Sequence, residues 1–278
     1  MSDALDPAVL LARAAAWVWV PSDALVRDTA DYLLVGYGEW FADPTQCFRL
    51  DSERTAADLV DDVLDRARAW GRPWVTFSGL HDHTRPADLE AHLQARGATL
   101  VEQYAVLALD LRGSLPDVAP PADVEVREVV DLATRRDLDR VDVAVFGGEA
   151  LDDDALIAGL ERDRRDGLDA PRFVAYRSGS PVGGAGCTLV GDTPGTVDTV
   201  RLWGGGVLAP HRGRGVYRAL LAHRLRLATA RGAEVALVKA RVETSAPVLL
   251  RTGFSRLGEE RCWRLATTGD AASRTPGA

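Results

Sequence analysis

The feature that most constrains the fold is a strand, a glycine-containing turn and a long helix in direct succession. Apolar periodicity predicts the strand over residues 196–208 and the helix over 213–231. A turn of this kind points several main-chain N–H groups at one place, beside the positive end of the helix dipole. Such a place binds phosphate oxygens, and Gly213 and Gly215 let a ligand approach the backbone closely. The segment therefore predicts an anion site at the head of this helix.

Other interpretations of the turn are ranked by their motifs. It contains no Gly-Lys-Ser/Thr, which argues against a P-loop nucleotide site. It also lacks the complete Gly-x-Gly-x-x-Gly of dinucleotide-binding folds, because position 218 is an arginine. On the loop alone, an ordinary strand–helix turn with exposed arginines at 212, 214 and 218 stays an open alternative.

The rest of the chain interleaves helical and strand patterns, which predicts an α/β class with a mixed sheet. Ser52 is the expected N-cap of a clearly amphipathic helix that ends before Gly71. The remaining helices are predicted over 7–19, 86–97, 132–145, 154–165 and 245–251. The remaining strands are predicted over 24–36 as a pair, 74–77, 101–111, 124–129, 173–176, 182–190, 235–240 and 255–265 in two pieces.

The segment 114–122 is the expected linker, because its three prolines suit neither a helix nor a central strand. It separates an expected N-terminal domain, 1–113, from an expected C-terminal domain, 123–267, and the small polar residues 268–278 are expected to form a flexible tail. Residues 87–111 and 245–265 share a helix–glycine–strand pattern. Duplication and chance both remain open explanations of that echo.

Composition narrows the class of protein. A length of 278 residues suits two domains, and a formal charge of −8 argues against nucleic-acid binding. Three cysteines without metal-type spacing predict buried thiols in a reducing compartment, and the acidic N-terminus does not resemble a signal peptide. His81-Asp-His83 supplies too few ligands for a metal site. We therefore expect a cytoplasmic monomer or homodimer with no metal, nucleic-acid or membrane partner.

The residues Arg212-Gly-Arg-Gly-Val-Tyr217 resemble the Arg/Gln-x-x-Gly-x-Gly/Ala signature of the GNAT (Gcn5-related N-acetyltransferase) superfamily. The resemblance continues into Arg218-Ala-Leu-Leu221 and into 244–254, which ends in Gly-Phe, and the element order from 124 to 265 is similar too. It implies a GNAT fold in the C-terminal half. The N-terminal half, which lacks the signature, looks like a degenerate second copy.

The resemblance implies an N-acyltransferase that moves an acetyl group from acetyl-CoA to an amine of a small molecule or peptide. A non-catalytic acyl-CoA-binding regulatory module is the alternative. The pantetheine arm would lie along Gly205–Val207, where the strand should part from 235–240, and the amides of Gly213–Arg218 would hold the diphosphate. The implied cofactor residues are Gly205, Gly206, Val207, Arg212, Gly213, Arg214, Gly215, Val216, Tyr217, Arg218 and Ser245.

The sequence departs from the family pattern at two positions. Tyr217 replaces the second Gly/Ala, and we expect its side chain to project outward, away from the phosphates. Leu249 stands where many members carry a tyrosine acid, so the acid is not carried over. Asp198, Glu149 and Asp152 are the candidate bases, although Asp198 could simply point outward from its strand and Asp152 could cap the next helix.

Overall fold

The computed structural model describes residues 6–38, 40–116, 118–191 and 196–268. The chain divides into two compact units. The signature unit comprises Met1–Ala14 and Val106–Leu257, and the second unit comprises Ala15–Ala105 and Gly258–Ala278.

The described residues form both helices and strands in the order that the α/β interpretation predicts. The helices are α1 (Pro7–Ala16), α2 (Ala56–Ala69), α3 (Leu89–Ala95), α4 (Leu132–Phe146), α5 (Asp153–Asp166), α6 (Val216–Ala230) and α7 (Ser245–Arg251). The strands are β1 (Leu25–Asp28), β2 (Leu33–Gly36), β3 (Thr45–Phe48), β4 (Trp74–Leu80), β5 (Thr99–Asp110), β6 (Val124–Glu128), β7 (Arg172–Arg177), β8 (Ser180–Val190), β9 (Thr199–Val207), β10 (Val235–Arg241) and β11 (Ser255–Ala266).

In the signature unit the strands follow the order β5-β10-β9-β8-β7-β6. Strands β6 to β9 are successively antiparallel, whereas β10 is parallel to β9, so the sheet is mixed as predicted. Helices α4 and α6 cover opposite faces: a Cβ at Gly184 would meet Leu138 of α4, and one at the adjacent Gly183 would meet Val216 of α6. Because successive residues of a strand point to opposite faces, the two helices enclose β8.

The second unit has the strand order β1-β2-β3-β4-β11. Strands β3 and β4 are parallel, and the other recorded pairs are antiparallel. Its core joins the inner face of α2, through Leu59 and Val63, to Phe77, Leu93 and Trp263. This is again a mixed sheet covered by helices.

The units do not follow the expected boundaries at either end of the chain. Leu10 and Ala14 of α1 pack with Val106 and Val235 in the signature unit. Residues 261–266 of β11 pair with β4 in the second unit. Each chain end thus joins a unit through contacts that are distant in sequence. The position of a linker between residues 113 and 123 gives no information about such contacts. The expected limits therefore stay a prediction about separable domains, and 269–278 of the expected tail lie outside the described residues.

Local differences from the predicted elements have identifiable causes. Strand β3 was not predicted, because four residues with two polar side chains carry little periodicity. Thr55, not Ser52, is the N-cap of α2 and accepts a hydrogen bond from the Asp58 amide. Helix α6 begins at 216 rather than 213, because Gly213 and Gly215 adopt φ of +72° and +80°.

Replacing Thr55 by alanine should lower the free energy of unfolding by about 1 kcal/mol, because the first turn of α2 loses its side-chain acceptor. Thr55→Ser is the matched control, since it keeps the oxygen and should stay near wild type. Urea denaturation followed by circular dichroism measures both. Equal stability of the alanine and serine variants would contradict the capping role.

Two composition-based expectations can be compared with the structure. Cys47, Cys187 and Cys262 are all buried, as the sequence predicts. Burial raises the pKa of the Cys187 thiol to about 11, so this group is a poor nucleophile. Among the described residues, no helix is both long enough and apolar enough to cross a bilayer.

Candidate functional site

Strand β9 is irregular just before the signature turn. Its pairing with β8 shifts between Gly184 and Gly186, so that Gly204 and Gly205 together face Ala185. Gly204 adopts φ of +59°, a conformation that suits glycine, and it is exposed. This is a β-bulge, a feature over-represented next to active sites.

Strands β9 and β10 pair only at the start of their lengths. The parallel ladder joins Thr199–Leu202 to Val235–Val238, while β9 continues to Val207 and β10 to Arg241. Within the described residues, β9 is therefore paired beyond Leu202 only on its β8 side. A cleft for the pantetheine arm requires this ending of the ladder.

The turn after β9 presents unbonded amides at the head of α6. Gly215 is the N-cap, with φ of +80° and no side chain to cap the helix. The Ala219 amide is the first to bond back, to the carbonyl of Gly215 at 3.0 Å. Among the described residues, the amides of Val216, Tyr217 and Arg218 donate to no main-chain carbonyl. These donors and the helix dipole together favour an anion.

The three arginines of the turn have different roles. The Nε of Arg212 donates to the carbonyl of Val207 at 3.1 Å, which ties the turn to the end of β9. Arg214 and Arg218 are exposed and can add positive charge. A Cβ at Gly215 would lie only 2.5 Å from Cγ of Pro121, so the expected linker segment packs on this turn.

Tyr217 does not project outward as the sequence predicted. Its Cε2 would lie 3.0 Å from a Cβ at Gly205, so the ring covers the bulge on the α6 side. Burial raises the pKa of its hydroxyl, and the neighbouring Arg224 guanidinium opposes that rise. The outward projection was wrong because position 217 faces the sheet.

Arg224 is the residue that fastens the bulge, and the sequence analysis missed it. It is only 1% exposed. Its Nη1 donates to the carbonyls of Gly186 at 3.0 Å and Trp203 at 3.4 Å, the two residues that pair at the edge of the bulge. Its Nε donates to the carbonyl of Leu220. Among the described residues it has no carboxylate partner, so main-chain dipoles stabilise its charge. One arginine in an arginine-rich helix gives no sequence signal of this role.

The opposite face of the same strands is covered by α4. The ring of Trp203 lies against Gly186, and its Nε1 donates to Thr188 Oγ1 at 2.9 Å. Asp142 Oδ1 lies 3.7 Å from the position of a Cβ at Gly184. Asp142 was not among the sequence candidates, because it sits mid-helix without a motif. Trp203 and Asp142 therefore stand beside neighbouring glycines of one strand.

The three candidate bases occupy different environments. Asp198 pairs with Arg13 at 3.3 Å and accepts a hydrogen bond from Thr199 at 2.5 Å. Asp152 is the N-cap of α5 and accepts from the Ala155 amide at 2.9 Å. Glu149 is exposed between α4 and α5. The capping contact of Asp152 and the ion pair of Asp198 are structural contacts, and none of the contacts described above joins two of the three side chains.

The remaining predicted positions are also placed by the fold. Leu249 is fully buried in α7, so its position offers no acid. Ser245 begins α7 after β10 and is half-buried. In the second unit, Asp82 pairs with Arg261 at 2.8 Å, which leaves His81 and His83 as neighbouring rings. No group of three or more potential metal ligands occurs among the described residues.

Comparisons with known proteins agree with this geometry. Residues 129–254 match the sequence model of the acetyltransferase (GNAT) family. No curated protein matches the chain. A GCN5-related N-acetyltransferase from Kribbella flavida is similar over 100% of this chain and 98% of its own, with a TM-score of 0.65 at 15% identity. A GCN5-related N-acetyltransferase from Sphaerobacter thermophilus is similar over 85% of this chain and 77% of its own, with a TM-score of 0.60 at 18% sequence identity.

A tandem GNAT protein from the clavulanic acid biosynthesis pathway is also similar, over 93% of this chain and 88% of its own. Its TM-score is 0.58 at 14% sequence identity, and a similarity at so low an identity shows the fold alone. The matches extend through the N-terminal half, which confirms the expectation of a GNAT-like copy there. Residues 129–254 of this chain are therefore a GNAT-family domain, within a chain of tandem GNAT fold.

Proposed function

We propose that the protein is an N-acyltransferase that transfers the acetyl group of acetyl-CoA to an amine of a small molecule or peptide. The observation that carries the proposal is the row of unbonded amides at the head of α6, directly after a bulged strand that has parted from β10. A diphosphate is bound by free main-chain N–H donors at a helix start. The arm that carries the thioester needs a strand with an unpaired edge, such as β9 beyond Leu202. Both occur inside the GNAT-family domain.

Each part of the cosubstrate has a proposed partner. The amides of Gly213–Arg218 bind the diphosphate, with Arg214 and Arg218 adding charge from exposed positions. The main chain of Gly205–Val207 binds the pantetheine arm. Arg212 holds the turn against β9 through its bond to Val207, and Ser245 stands at the start of α7.

The chain accelerates the reaction chiefly by orientation. An arm fixed along β9 brings the thioester carbon to a defined position beside Trp203, and holding two reactants in this way removes much of the entropic barrier. Arg224 and Tyr217 hold the bulge from the α6 side of the sheet, so the strand that carries the thioester is kept in place. The acid is not assigned to a residue, because Leu249 replaces the tyrosine of the family pattern.

A non-catalytic acyl-CoA-binding regulatory module is the second candidate. The full burial of Leu249 at the acid position favours it. The two functions differ in one measurement, since the regulatory module binds acetyl-CoA without consuming it. The cytoplasmic location and the monomeric or homodimeric state stay predictions under either function.

Acetyl-CoA should bind the full chain in isothermal titration calorimetry, and incubation with primary amines should then release free CoA thiol above the rate without protein. Thiol release with an N-acetylated product by mass spectrometry supports the transferase. Binding without release on any of benzylamine, putrescine, glucosamine and a peptide with a free N-terminus would favour the regulatory module. Absence of binding would refute both.

A further inference from the structure

The inner face of α4 carries a carboxylate that the functions assigned so far do not use. Asp142 is half-buried and points at β8, with Oδ1 3.7 Å from where a Cβ of residue 184 would lie. Gly184 pairs with Gly206 on β9, directly next to the bulge. The carboxylate therefore faces the same strands as the proposed thioester arm, from the side opposite α6.

Asp142 has its oxygens available for a ligand. Among the described residues it accepts no hydrogen bond and forms no ion pair, unlike its helix neighbour Asp139, which accepts from the Leu151 amide at 3.3 Å. A half-buried carboxylate without a partner is costly unless something else bonds it. A cationic ammonium group supplies both the charge and the donors.

The charged groups around Asp142 lie on α4, α5 and β7. Arg135 and Asp139 lie on α4 itself, Arg172 faces it from β7, and Asp163 of α5 pairs with Arg172. Strands β8 and β9 contribute glycines and Trp203 at this face. Burial raises the pKa of Asp142 to about 6, while Arg135 and Arg172 oppose the rise. The Asp142 carboxylate is thus ionised at neutral pH, yet it is basic enough to accept a proton from a substrate at that pH.

We propose that Asp142 binds the ammonium group of the acceptor and takes its proton, so that the acceptors of this enzyme are amines that are cationic at neutral pH. The inference rests on the proposed transferase function and adds its base and substrate class. Trp203, which lies beside Gly186 two residues along β8 from Gly184, forms the neighbouring wall of the acceptor position.

The reaction balances with this residue as the base. The ammonium group gives one proton to the Asp142 carboxylate, and the neutral nitrogen attacks the thioester carbon. A new N–C bond forms and the C–S bond breaks. The second proton leaves the nitrogen and ends on the sulfur, so the products are the N-acetyl amide, CoA thiol and protonated Asp142, which then returns its proton to water.

The test compares wild type with Asp142→Asn on a cationic and a neutral nucleophile. Benzylamine, putrescine and glucosamine represent cationic amines, and methoxyamine represents an amine that is already neutral at the assay pH. We expect Asp142→Asn to lower kcat/KM for the cationic amines by about 10²–10⁴-fold, and to change enzyme-dependent acetylation of methoxyamine by no more than a few-fold.

The pH profile gives a second readout that a structural role would not move. In wild type, kcat/KM for the cationic amines should fall as pH drops below about 6, because Asp142 becomes protonated there. Asp142→Asn should lack this limb. Glu161→Gln, which removes an exposed carboxylate from α5, is the matched control and should keep both the rate and the profile.

The outcomes separate the two proposals. Failure of wild type to bind acetyl-CoA, or binding without turnover of any nucleophile, overturns the transferase function and this inference together. Wild-type turnover with an Asp142→Asn variant that keeps the same rate and pH limb overturns only the role of Asp142. Equal losses on methoxyamine and the cationic amines, with acetyl-CoA affinity and Tm unchanged, would also refute a proton acceptor.

Discussion

Arg224→Ala should lower the free energy of unfolding by about 3–5 kcal/mol, which is the largest stability effect we expect in the signature unit. The substitution empties a fully buried site and leaves the carbonyls of Gly186 and Trp203 without their donor. Guanidinium chloride denaturation and Tm both report it. Because the bulge loses its support, acetyl-CoA affinity should fall as well.

Arg224→Met separates the two causes of the expected destabilisation, which are the emptied volume and the lost hydrogen bonds. Methionine refills most of the volume but donates nothing, so the remaining loss of about 1–3 kcal/mol measures the hydrogen bonds alone. A methionine variant as stable as wild type would show that the carbonyl bonds only offset the cost of burying the charge. Arg231→Met is a suitable control, since Arg231 pairs with Asp169 on the surface and its loss should change little.

Gly213→Asp should weaken the binding of CoA by about 10–100-fold at low salt, because the new charge repels the diphosphate at the head of α6. Gly213 has φ of +72° and no atom within 4 Å of an added Cβ, so the side chain has room. Aspartate and asparagine both tolerate the left-handed conformation. Calorimetry with CoA measures the affinity.

Gly213→Asn is the matched control, because it has the same shape and backbone preference without the charge. It should bind CoA within a few-fold of wild type, and the gap between the two variants should narrow as salt is added. Equal affinity in all three proteins would place the diphosphate elsewhere. Gly215 is a poorer choice for this test, since a Cβ there would lie 2.5 Å from Pro121 and φ is +80°.

The geometry of the turn before α6 could be predicted from sequence because its signal is local. Glycines at 213 and 215, followed by an apolar helix, limit what that segment can become, and the structure places the N-cap of α6 at Gly215. The order of strands and helices was predicted for the same reason. Among the described strands, β3 was not predicted, because its four residues carry no clear period.

The residues around the turn could not be predicted, because they act through distant contacts. Arg224 meets Gly186, and Asp142 meets Gly184, over separations that only the packing of α6 and α4 on β8 creates. Tyr217 illustrates the same limit within a single motif. Its position next to the amides was evident, but its inward direction depends on which face of α6 meets β9.

The pairing of β11 with β4 has a consequence for synthesis on the ribosome. Residues 15–105 leave the ribosome before residues 261–266, the part of β11 that covers the edge of β4. Until residues 261–266 have been made, the edge of Trp74–Leu80 that they cover presents unpaired main-chain groups. The second unit therefore completes its sheet only after residues 106–257 have been made, and a stop codon shortly after residue 257 would leave β4 without the residues of β11 that pair with it.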